Sequence, residues 1–115
     1  MSKEKNNKQN GAVKIPTRPQ KTYQIEIAGV KYPYRETMGA MSAFTEETGL
    51  EVPVSTEDNL RYMYLVLKSQ ARRSDGVPFE LSYDEFRDGL YADEYLRLVN
   101  EMAADTQVED DEKNV

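Results

Sequence analysis

Cysteine, histidine and tryptophan are all missing from the 115 residues of this chain. The first absence excludes a disulfide framework and a thiol nucleophile, and the second excludes an imidazole general base; together they remove the usual zinc and haem ligands. No apolar run approaches the roughly 18 residues of a membrane span, and the lysine-rich start lacks the apolar stretch of a signal peptide. No Gly-x-Gly-x-x-Gly fingerprint and no Gly-Lys-Ser/Thr phosphate loop occurs, so nucleotide binding has no support. Length leaves room for one core, since a domain normally takes about 100 to 150 residues. These exclusions lead us to expect a soluble cytoplasmic protein that is not an enzyme and uses no cofactor or metal.

What is present is charge, 31% of residues, and apolar side chains, 38%, divided unevenly along the chain. Residues 1–21 carry six basic side chains against Glu4 alone, a net +5, with Pro16 and Pro19 among them. That composition reads as a disordered basic arm. Residues 22–102 carry eight basic and fifteen acidic side chains, a net −7, with most of the apolar residues. Residues 103–115 carry five acidic side chains against Lys113, a net −4. The expected organisation is therefore an arm over 1–21, a single domain over 22–104 and a disordered acidic tail over 105–115.

Within the domain, Tyr23, Ile25 and Ile27 alternate with Gln24 and Glu26, and Val30, Tyr32 and Tyr34 continue the alternation. Period two with Ala28-Gly29 between the runs predicts a hairpin over 22–28 and 30–35. Pro33 cannot donate to a ladder, which predicts a free edge on the second strand. Thr37 is placed to cap a helix over 38–48 with Ala40, Met38, Met41 and Phe44 on its apolar face and Gly49 at its end. Ser55 or Thr56 opens the longest helix, with Leu60, Met63, Tyr64, Leu67 and Ala71 at helical spacing. Ser82 and Glu85 form a capping box ahead of a short helix over 83–91, with Tyr83, Phe86 and Leu90 facing inward. Asp93 is placed to cap a fourth helix, running to about 104, with Tyr95, Leu98, Val99 and Met102 on its face. The fold class is α+β: an N-terminal two-stranded hairpin followed by about four helices, mainly helical.

Little in this sequence supports catalysis. The acidic cluster of Asp84, Glu85, Asp88, Asp93 and Glu94 alternates with apolar helix positions and reads as a solvated face. Asp75 to Glu85 does not place its oxygens as a calcium loop needs. Eight tyrosines and five methionines remain to be assigned. Tyr64 and Tyr95 fall on apolar faces and read as core, whereas Tyr62 and Tyr91 fall beside those faces and read as contact candidates. Methionine fills irregular cores and also lines adaptable binding surfaces, so Met38, Met41, Met63 and Met102 are open to either role.

The segment Tyr23-Gln-Ile-Glu-Ile-Ala-Gly-Val-Lys-Tyr-Pro-Tyr34, followed by Met38-Gly-Ala-Met-Ser-Ala-Phe-Thr-Glu-Glu-Thr-Gly49 and later by Leu81-Ser-Tyr-Asp-Glu-Phe86, resembles the tail assembly chaperones of long-tailed bacteriophages and prophages. The resemblance covers about residues 22–104. It implies a protein that coats the aggregation-prone tape measure protein during assembly, helps recruit the tail tube protein and is absent from the finished virion. Such work asks for apolar surface that receives amphipathic helices weakly enough to be displaced. The expected partner-binding residues are Met38, Met41, Phe44, Tyr62, Met63, Leu67 and Tyr91.

Three further expectations stand beside this one. A hairpin with a free edge and helices with apolar faces suit a homo-oligomer. The basic arm and Arg72-Arg73 suggest a small nucleic-acid-binding or regulatory protein, although the arm has no aromatic for base stacking and the acidic domain would repel a duplex, which disfavours nucleic acid. The third alternative is a structural head-tail or tube subunit.

Overall fold

The computed structural model describes the backbone of residues 21–114 and the side chains of residues 21–106. The basic arm expected over 1–21 lies outside the described residues except for Lys21. The described chain falls into two units, 21–99 and 100–114, the second being the C-terminal part of the last helix.

Two strands, β1 (Tyr23–Ile27) and β2 (Val30–Tyr34), pair antiparallel with Tyr23 opposite Tyr34, Ile25 opposite Tyr32 and Ile27 opposite Val30. Alternation buries Tyr23, Ile25, Ile27, Tyr32 and Tyr34 and leaves Gln24 and Glu26 in solvent. Both turn residues have positive φ, 53° at Ala28 and 82° at Gly29, as the tight two-residue turn of a twisted hairpin requires. The sequence led us to expect this of Gly29 only; Ala28 adopts it at a steric cost. Pro33 sits opposite Gln24, and no third strand joins β2 among the described residues.

Four helices follow: α1 (Met38–Thr48), α2 (Thr56–Ala71), α3 (Tyr83–Gly89) and α4 (Ala92–Asn114). The first three begin at residues whose oxygens cap them. Thr37 Oγ1 accepts from the Ala40 amide at 3.1 Å, Ser55 Oγ accepts from Asp58 at 3.1 Å, and Ser82 with Glu85 completes the expected capping box. Asp93 does not cap α4 as expected: the helix starts at Ala92, and Asp93 lies in the first turn, its Oδ1 accepting from Glu94 N at 2.8 Å. Nor does α4 end near 104. Nothing in Ala103-Ala104-Asp105-Thr106-Gln107 breaks a helix, and the backbone stays helical to Asn114, through the stretch expected as a tail.

Helix α2 is central, packing against α1, β2 and α3. A helix covered from several sides buries more than one stripe, so Val66, Ser69 and Gln70 are buried together with the expected Met63 and Leu67. The two polar members are satisfied. Ser69 Oγ and Thr37 Oγ1 lie 2.6 Å apart, tying the start of α1 to α2. Gln70 donates from Nε2 to the Val77 carbonyl at 2.8 Å and accepts the Val77 amide on Oε1 at 3.1 Å, imitating a strand partner for the α2–α3 connection. That connection turns so tightly at Gly76 that a Cβ there would sit 1.9 Å from the Gln70 carbonyl oxygen.

The same connection delivers Phe79, a core residue that no periodic pattern announces. Its ring packs edge-on to Tyr32 at 5.1 Å and to Tyr64 at 5.8 Å, and Tyr64 in turn lies 5.6 Å from Phe86. The resulting aromatic cluster joins β2, α2 and α3. Phe86, Leu98, Val66 and Leu67 are each fully buried.

Candidate interaction surface

Helix α1 is where the expected partner-binding residues divide. Its buried face is the Ala40–Phe44 stripe, four residues apart. Met38 lies on the far side of the helix and is turned outward, while Met41, about 100° around from Ala40 and about 60° from Phe44, lies on the flank of the buried stripe. Met38 is 72% exposed and Met41 39%. They are three residues apart and form one exposed ridge that runs from the flank of α1 to its outer side.

Phe44, Met63 and Leu67, expected at a partner-binding face, are instead core residues, each 2% exposed or less. Their spacing marks the faces by which α1 and α2 meet other elements of the fold. Tyr62 is half-buried, its ring edge-on to Phe44 at 5.6 Å, so it packs on the fold rather than standing off it. Tyr91 is exposed, as expected, but lies at the junction of α3 and α4. Of the seven candidates, Met38 and Met41 share an exposed ridge, Phe44 and Tyr62 share a ring contact, and Met63 and Leu67 share a buried face.

Several exposed apolar residues were missed by the sequence reading: Val30, expected to continue the buried alternation of β2, is exposed at the turn, Val77 and Leu96 are exposed too, and two more lie close together in sequence. Val52 and Val54, 61% and 74% exposed, flank the half-buried Pro53 in the connection from α1 to α2. Alternation across a proline was the available signal, but five loop residues are too few to read as a pattern. Val54 is held in place through its amide, which donates to Asp58 Oδ2 at 3.1 Å.

Several charged groups elsewhere are engaged in structure. On the outer edge of β1, the Gln24 carbonyl accepts from Arg97 Nη2 at 2.7 Å and the Glu26 amide donates to Glu94 Oε2 at 2.8 Å. Arg97 also donates to both carboxylate oxygens of Glu94, at 2.9 and 2.8 Å. The hydrogen bond from Arg97 first, then the Glu26 amide and the nearby Lys31, hold the Glu94 carboxyl below its ordinary range against the opposing pull of burial. With Lys31 these residues line a polar cleft of about 310 Å³.

Tyr83 donates to Glu57 Oε2 at 2.6 Å, and its ring carries the Arg61 guanidinium 3.9 Å away. Burial, then the hydrogen bond and charge of Glu57, push the phenol up to about 12. Arg73, half of the pair that suggested nucleic acid, is ion-paired with Asp75 at 3.0 Å, and Arg72 caps the end of α2. Within the acidic cluster, Glu85 closes the capping box and Glu94 binds β1, while Asp84 and Asp88 are exposed.

No helix among the described residues is long and apolar enough to cross a membrane. Comparison with family models, with curated proteins and with solved structures finds no match to this chain.

Proposed function

We propose that this chain is a tail assembly chaperone, a non-enzymatic protein that binds the tape measure protein, keeps it soluble and helps recruit tail tube subunits. The observation that carries the reading is the exposed ridge of Met38 and Met41, set in the segment that bears the resemblance to that family. A helix with Ala40 and Phe44 buried in the core and two methionines in water has satisfied its own packing and still offers apolar surface. Unbranched, polarisable side chains suit a site that must accept differing segments of a long helical partner and release them as the tube grows. The segments that carry the resemblance form the hairpin, α1 and the start of α3.

Co-expression with the tape measure protein of the same gene cluster tests the reading. A soluble complex that co-purifies, together with absence of the chain from finished particles by mass spectrometry, is the expected result. Persistence in purified virions would point to a structural subunit instead, and tape measure protein that stays insoluble beside this chain would refute the proposal.

A further inference from the structure

The stretch between Arg35 and Arg61 contains six carboxylates and no lysine or arginine. It also holds four of the exposed large apolar residues: Met38 and Met41 on α1, and Val52 and Val54 in the connection that follows. Glu46, Glu47 and Glu51, all exposed, lie between these two pairs in sequence. Glu47, seven residues after Ala40 and so on the same side of α1, is engaged with α2 through Arg61 at 3.7 Å, which leaves Glu46 and Glu51 beside the outward residues. Apolar side chains in water interspersed with charge of one sign ask for a complement that is apolar along one stripe and cationic beside it.

We propose that the outward side of α1 and the α1–α2 connection form a docking surface for a cationic amphipathic helix, with Met38, Met41, Val52 and Val54 receiving its apolar stripe and Glu46 and Glu51 its lysines or arginines. This rests on the chaperone reading for the identity of the natural partner, but not for the chemistry of the surface. Charge of one sign also sets the kinetics. An anionic site draws in a cationic segment quickly, and the attraction weakens with salt.

An idealised leucine–lysine helical peptide of about 18 residues, roughly five turns, serves as probe. Titrated into the full-length ¹⁵N-labelled protein, it should produce saturable shifts concentrated over residues 38–54. Binding should weaken about tenfold in the Met38→Ser/Met41→Ser variant, or on raising the salt from about 0.05 to 0.5 M. Both methionines are exposed, so the variant should keep its thermal midpoint, which circular dichroism checks. A second variant, Glu46→Gln/Glu51→Gln, should reduce the salt dependence while leaving the shift pattern in place. Shifts centred elsewhere, no saturable binding, or equal binding of a leucine–glutamate peptide would overturn the proposal.

The chaperone reading fails separately. If the tape measure protein binds while its shifts map away from residues 38–54, the surface is wrong and the function stands. If the peptide binds there and the tape measure protein does not bind at all, the function is wrong and the surface stands.

Discussion

Gln70 shows how much a single buried polar side chain does in this fold. Its amide meets both backbone groups of Val77, and among the described residues no buried side-chain nitrogen or oxygen lacks a partner. Gln70→Glu removes the donor and sets a carboxylate against the Val77 carbonyl, so we expect a loss of about 2 to 3 kcal/mol by urea unfolding. Little of this was legible in advance, because a glutamine on a helix reads as polar surface until the connection that folds over it is known. Tyr83 was legible as a helix position but not as a titrating group. Its phenol ionises near 12 in the folded state against about 10 in the unfolded chain. The folded state therefore holds the proton more tightly. The stability this contributes is whole below about pH 10 and declines as pH rises toward 12. The stability gap between wild type and Tyr83→Phe should accordingly narrow between pH 9 and 11.5, about 10 being the start of the change; a gap independent of pH would mean that the phenol is not held as described.

Among the elements, the hairpin and the caps were the most legible, because local chemistry decides them. Period two together with Gly29 placed β1 and β2, and Ser82 with Glu85 placed the start of α3. The outer edge of β1 was not legible, since Glu94 and Arg97 reach it from 68 and 73 residues away. Their side chains meet the backbone groups that another strand would otherwise pair, and so close an edge that is open to association. Because the folded state depresses the Glu94 carboxyl, the unfolded chain takes up the proton first as pH falls. The contribution is complete above the ordinary glutamate range, about 4.3, and is lost as pH falls through the lower folded value. Glu94→Gln should thus be less stable than wild type at pH 7 and approach it near pH 3, about a unit below that range, as thermal melts at the two pH values would show. At pH 7 the same variant should also self-associate more readily by light scattering, since the guard on β1 is weakened; unchanged scattering would show that the edge is protected by something else. Helix faces were legible only where one side is covered. The central α2 buries Val66, Ser69 and Gln70 beyond the single stripe its spacing suggested, and α1, covered on one side only among the described residues, leaves two of its expected inward residues exposed.

For the whole molecule, the architecture is the hairpin-plus-helices plan that the sequence pattern implied. Where to look on that architecture changed. Phe44, Met63 and Leu67 belong to the core, so Leu67→Asp should unfold the protein, by more than about 4 kcal/mol, rather than weaken a contact. Exposed methionine and valine remain in a stretch with acidic residues and no basic ones, with Tyr91 and Leu96 among the exposed residues elsewhere on the surface. The most direct measurement is the amount of soluble tape measure protein recovered on co-expression with wild type and with Met38→Ser/Met41→Ser, both variants being confirmed as folded. The account predicts a stoichiometric soluble complex with wild type and a loss of most of it, roughly tenfold, with the double variant. Equal recovery with the two proteins, or none with either, would contradict it.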